Sequence, residues 1–258
     1  MKLSRRDALR TAGGLALAGL AGCIEERVTE RETRITDRAI STLSPQTEDA
    51  ALSSDDFDDY IDDMVDRYGN GGVWGSDADS GQGFERAYVQ RHAITHDTAR
   101  NPTERELVLG TDEFDPDAPI LIADACLAMY DLGDGLYRYW LWTAADSADS
   151  RLVGNANVDT LSVGLRSRNG ILADAVEPVV EDGRATVDLG APPSGQFPIP
   201  DGSLNTTSVL GEQGVYAVMW NGDREGVQSI NAVCEEERAE EYDLFWSTSL
   251  GYRTEETV

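Results

Sequence analysis

The chain has 258 residues, 48 of them acidic and 21 basic, for a formal charge of -27. Its acid excess and the lack of a basic cluster exclude a nucleic-acid partner, which needs a positive face. With 40% hydrophobic residues there is ample material for a buried core, and the length is within range for one β-rich domain behind a tether.

The first 22 residues read as an export signal. Lys2, Arg5, Arg6 and Arg10 precede an apolar run from Thr11 to Gly22, too short for a bilayer, which needs about 20 residues. The Arg5-Arg6 pair before a weakly apolar core resembles a twin-arginine signal, the route for folded proteins. Leu20-Ala21-Gly22-Cys23 resembles the lipobox of exported lipoproteins. That resemblance implies cleavage before Cys23, lipid on its sulfur, and a membrane-anchored protein on the extracellular face. Removing four basic residues and Asp7 leaves -30 on the mature part. Lys2 is the only lysine; an acid-rich, lysine-poor composition resembles proteins of extremely halophilic archaea. Molar salt shortens the screening length to about 3 Å and removes the self-repulsion such a charge creates.

Residues 23–50 read as a charged, Thr-rich tether that ends as a strand, and 51–258 as one globular domain. Within that domain Asp55–Tyr68 is the strongest helix. Phe57, Tyr60, Ile61, Met64, Val65 and Tyr68 form one apolar stripe, Ser53 with Asp56 is a cap, and Gly69 a stop. The aspartates between them form a solvated face. Beyond the helix, alternating or apolar runs predict strands at 87–95, 120–130, 136–144, 158–168, 176–180, 185–189, 214–220 and 227–234. Turn signals separate them: Gly133-Asp134-Gly135, Asn169-Gly170, Asp182-Gly183 and Asn221-Gly222-Asp223. The pattern predicts a mainly β fold, an antiparallel β-sandwich or jelly-roll-like body with one N-terminal amphipathic helix, with α+β as the alternative.

Several residues stand out as candidates for chemistry. His92 and His96, followed by Asp97, would clasp one metal on a helix. On a strand they would stand about 13 Å apart, too far for one ion, and the flanking alternation favours a strand. Asp77 and Asp79 resemble the start of a calcium loop but lack its later ligands, and Asp112, Glu113, Asp115 and Asp117 make a second acidic loop. Acidic loops arise freely in such a composition, so no cofactor is predicted, with calcium as the ion these loops leave open. Cys126 and Cys234 either bridge, closing a loop worth about 4–5 kcal/mol by chain entropy, or lie apart as buried thiols. Trp140 and Trp142 share a face of one strand; with the Pro-rich stretch 191–203 they are a candidate contact surface, or else core. Asn205-Thr206-Thr207 is a glycosylation sequon. No esterase elbow, Walker loop or zinc-protease motif is present. The reading that fits best is a lipid-anchored binding or structural module of a halophilic envelope, facing a glycan or protein there. Its alternatives are a metal-dependent enzyme and a calcium-stabilised domain.

Overall fold

The computed structural model describes residues 30–73, 80–81, 83–95, 119–147, 156–187, 195–198, 202–239 and 241–257. They form an antiparallel β-sandwich with a helix packed on one side. One sheet contains β1 (Glu30–Leu43), β5 (Ala156–Ser167), β10 (Ser203–Val209), β12 (Val215–Arg224) and β14 (Leu244–Thr257), in the order β1-β14-β5-β12-β10. We call it the outer sheet. The central sheet contains β2 (Phe84–Thr95), β3 (Pro119–Gly133), β4 (Leu136–Asp146), β6 (Ile171–Ala175), β11 (Gly211–Glu212) and β13 (Val227–Glu237), in the order β11-β6-β13-β4-β3-β2. A small third sheet joins β7 (Val179–Glu181), β8 (Arg184–Val187) and β9 (Gly195–Pro198). Both large sheets are open.

Helix α1 (Ser54–Tyr68) forms where the stripe predicts it. Ser53 accepts the amide of Asp56, and Gly69 ends the helix at φ +75°. Phe57, Ile61, Met64 and Tyr68 are buried against the central sheet. A one-turn helix α2 (Asn70–Val73) follows, and a 3-10 segment, Pro45–Ala50, precedes. The aspartates of α1 point outward, as solvation requires.

The central sheet is therefore covered twice, by α1 on one face and by the outer sheet on the other. β4 shows the result: from Tyr139 to Ala145 no residue is exposed. Its even-numbered side chains meet the helix; Phe57 packs on Trp140 and Tyr68 on Trp142, with ring centroids 6.1 and 5.8 Å apart. Its odd-numbered side chains face the outer sheet.

Three expectations change here. The segment assigned to a tether up to residue 50 is not one throughout: Glu30–Leu43 is an edge strand paired along its whole length with β14. It forms because Ile35, Ala39, Ser41 and Leu43 alternate inward against exposed Arg34, Arg38 and Ile40. The folded body thus includes Glu30–Leu43, ahead of residue 51. The Asn221-Gly222-Asp223 signal is a bulge inside β12, not a turn. Asn169-Gly170 joins strands of different sheets. By contrast, Asp182-Gly183 closes the β7–β8 hairpin with both residues at positive φ, and Gly133-Asp134-Gly135 joins β3 to β4. No helix among the described residues is long and apolar enough to cross a membrane.

Candidate functional site

The sequence candidates do not converge. His96, Asp97, Asp77, Asp79 and the acidic loop at 112–117 lie outside the described residues. His92 is on β2, pointing between the sheets, with Nε2 3.1 Å from Asp37 Oδ2 on β1. Its Nδ1 is buried without a hydrogen-bond partner among the described residues. Among the described residues no group of three or more His, Cys, Asp or Glu side chains is placed to hold a metal ion.

Cys126 and Cys234 are both free and buried. The register explains why no bridge joins them. Cys126 pairs with Trp142 and faces α1, whereas Cys234 pairs with Tyr139 and faces the outer sheet. The thiols lie on opposite faces of one sheet, with β4 between their strands, beyond the reach of a disulfide. Burial pushes both thiols well above their ordinary pKa.

Trp140 and Trp142 are fully buried, so they are core rather than contact surface. Trp140 Nε1 donates to Asn231 Oδ1 at 3.0 Å, which satisfies its polar end. In the Pro-rich stretch, 195–198 pairs with β8 as a strand. Asn205 is exposed on β10.

The polar constellation that sequence reading missed lies at one end of the sandwich. Its innermost member is Glu236, on β13, fully buried between the sheets. Ser167 Oγ and Tyr139 OH both donate to its carboxylate in short hydrogen bonds. The space exists because Gly170 has no side chain: a Cβ there would stand 2.2 Å from Glu236 Oε1. Arg238, two residues on, donates to Tyr139 OH at 2.9 Å and to Glu85 Oε2 at 3.3 Å. Its guanidinium lies 3.4 Å from the centroid of the Tyr137 ring.

Glu85 continues the chain outward, accepting from Arg86 Nη2 at 3.0 Å, while Arg86 Nη1 pairs with Glu48 Oε1 of the 3-10 segment at 2.6 Å. Tyr242 sits beneath both arginines, each 5.3 Å from its ring centroid, and its hydroxyl is 2.6 Å from Tyr88 OH. Burial opposes the Arg86 charge, but Glu85, Tyr242 and Glu48 outweigh it and hold its pKa above the ordinary value. Burial, with Glu236 adding to it, pushes the Tyr139 phenol well up; burial and the Tyr88 hydroxyl do the same for Tyr242.

Around this cluster three hollows adjoin. One, of about 600 Å³, is bounded by Ser44, Gln46, Arg168, Asn169, Glu241 and Asp243. A second, of about 310 Å³, runs over Glu85, Arg86 and Tyr137 and shares Pro45, Glu241 and Tyr242 with the first. The third, of about 830 Å³, lies across Tyr137 and Arg238 toward Leu132 and Ile171. Together they make a solvent-facing cleft with Tyr137 at its middle. Its wall alternates guanidinium, carboxylate and amide groups, held by Arg168 on Asp243 at 3.1 Å and Asn169 on the Glu241 carbonyl at 2.6 Å. Such a wall presents donors and acceptors in fixed positions. The Ser167 hydroxyl is fully buried and committed to Glu236, so it is not placed as a nucleophile toward the cleft.

This site is hard to see in the sequence. Glu85, Arg86, Tyr137, Glu236, Arg238 and Tyr242 are scattered over 158 positions and form no motif. The one usable signal is the run Cys234-Glu235-Glu236-Glu237-Arg238 at the end of an apolar strand, where alternation directs Glu236 inward.

The comparisons with known proteins add no name: no family model and no curated protein matches the chain.

Proposed function

We propose that this protein is a lipid-anchored binding module of a halophilic cell envelope, held through Cys23 on the extracellular side, and that the cleft around Tyr137 is its ligand site. The ligand class that fits is a polyhydroxyl compound, an envelope glycan. The observation that carries this reading is the cleft's makeup: an aromatic ring at the centre, and around it arginines and carboxylates already paired with one another. The paired charges offer directional hydrogen bonds, and carboxylates outnumber arginines in the lining, which disfavours an anionic ligand. In molar salt, long-range attraction of an ionic ligand is screened away, whereas stacking on a ring and short hydrogen bonds persist. A hollow of several hundred Å³ with few convergent polar groups suits a ligand of one or two sugar rings.

The test is calorimetric titration of the folded protein with envelope oligosaccharides in molar salt. The wild type binds; Tyr137→Ala weakens binding tenfold or more, about 1.4 kcal/mol. Gln46→Ala weakens it less and leaves the melting temperature unchanged. A folded wild-type protein that takes up no oligosaccharide would sink the proposal.

A further inference from the structure

We infer that the face of the outer sheet that the described residues leave uncovered is the membrane-facing side of the molecule and rests on anionic lipid headgroups. This builds on the lipid-anchored reading above and adds the orientation.

The face is laid out by the pairing register. Three outward rows cross all five strands. The first is Thr42, Phe245, Arg166, Val215 and Val209; the second Ile40, Ser247, Gly164, Ala217 and Thr207; the third Arg38, Ser249, Ser162, Met219 and Asn205. The middle row is small at its centre. A Cβ on Gly164 would lie 2.8 Å from the Ala217 Cβ, so the strands carry no bulk there and a trough of about 440 Å³ opens between the flanking rows. Ile40 is 60% exposed, Val209 57% and Met219 39%, an apolar content unusual on the bare side of a sheet whose chain carries 48 acids.

These three rows are basic, although the chain as a whole is acidic. No carboxylate occurs in the three rows. Arg38 and Arg166 border the trough from opposite sides, and neither has an ion-pair partner among the described residues. The opposite side of the molecule is α1, which carries seven aspartates. Among the described residues the helix thus presents acid, whereas these three rows present arginine and apolar side chains.

The anchored cysteine is joined to this sheet by a short segment. Only six residues, 24–29, separate Cys23 from Glu30, where β1 begins as an edge strand of the outer sheet. Fully extended they reach about 25 Å. A lipid on Cys23 therefore keeps the β1 edge close to the bilayer. Near an anionic surface the aspartate-studded helix is repelled and the arginine face attracted, with about 1 kcal/mol per arginine at the surface before salt weakens it. Two arginines do not hold a free protein to a membrane in molar salt. They are enough to bias the orientation of one already tethered, because contact then costs little further entropy.

The full chain is produced with its signal, and intact mass reports whether Cys23 carries lipid. Met219→Cys and Asp59→Cys variants are each labelled with a polarity-sensitive dye and bound to vesicles of phosphatidylcholine with one-third phosphatidylglycerol, in molar potassium chloride. The buried Cys126 and Cys234 stay unlabelled in the folded protein. The expected result is a blue-shifted Met219 label and an unshifted Asp59 label, with the Met219 shift abolished by Arg38→Glu with Arg166→Glu. A lipidated protein whose Met219 label stays in water would overturn the orientation and leave the anchor standing. A Met219 label already shielded without vesicles would overturn it in favour of a second copy of the chain on this face. A glycan on Asn205, in the same row as Met219, would also overturn it, since a sugar there holds the face off the bilayer. Absence of lipid in the mass spectrum removes the anchor and this inference with it.

Discussion

Asp124 and Glu236 lie on opposite faces of the same sheet, each buried and each held by arginine and tyrosine, yet the two carboxylates belong to different kinds of structure. Asp124 faces the helix. Tyr68 OH donates to it at 2.8 Å, Arg91 Nε at 2.8 Å, and Arg67 lies 3.5 Å away. These partners come from α1 and β2, so the acid fastens the helix to the sheet. Glu236 faces the other sheet, and its partners lead onward, through Tyr139 and Arg238 to Glu85, Arg86 and the cleft. One cluster is a fastener, and the other is the foundation of a surface. The lesson is that a buried charge in an acid-rich chain is read by where its partners lead, not by its burial.

The largest expected effect separates the two. Glu236→Ala leaves Ser167 and Tyr139 without an acceptor and weakens the hold on Arg238, whose side chain is 4% exposed. The expected loss is about 3–5 kcal/mol, read as a lowered melting temperature in molar salt. Asp124→Ala costs less, about 2 kcal/mol, because Arg91 is 55% exposed and returns to water. Equal losses at the two sites would break the comparison.

Gly170→Ala tests the foundation from the other side. The added methyl must displace the Glu236 carboxylate, for about 1–2 kcal/mol. In a Glu236→Ala background the same change costs almost nothing, since the obstructing group is gone; additive losses would contradict the geometry. Tyr68→Phe removes one hydrogen bond from the fastener, for about 1 kcal/mol, with ligand binding in the cleft unchanged.

The smallest effect near neutrality is that of pH, and it grows in base. Burial raises the phenols of Tyr60, Tyr68, Tyr139 and Tyr216 above their ordinary range. In the unfolded chain these phenols ionise near pH 10; in the folded protein they keep their protons. Their contribution to stability is therefore complete below about pH 10 and is lost as pH rises beyond it. Phenolate absorbance that appears together with loss of β-sheet signal, rather than before it, is the expected observation.

Much of the fold was legible because local signals agreed with one another. Ser53, the apolar stripe and Gly69 place α1 within one residue. The runs at 120–130 and 136–144, with glycines between them, give the β3–β4 hairpin. What was not legible is which face of a strand meets what. In β4 both faces are buried, so alternation cannot tell the helix side from the sandwich side, and Trp140 and Trp142 look like an exposed pair until α1 covers them. β14 is absent from the predicted strands although Leu244, Trp246, Leu250 and Tyr252 alternate inward; the serines, threonines and glycine between and beside them weaken the pattern. The cleft was the least legible part, because it is made where β2, β4, β13 and two connections end together, and no short window of sequence contains it.

The pairing of β1 with β14 sets a timetable. The first folded strand lies at the sheet's edge beside the last, register for register from Glu30–Thr257 to Leu43–Leu244. While the chain is being synthesised, β1 waits for the 14 residues of β14, and β5 likewise lacks one neighbour until they emerge. Contacts of such sequence separation form slowly, and a strand edge left open in the meantime invites pairing with other chains. Completion of the outer sheet thus waits on β14, and a chain without β14 would lose the strand that joins β1 to the rest of its sheet.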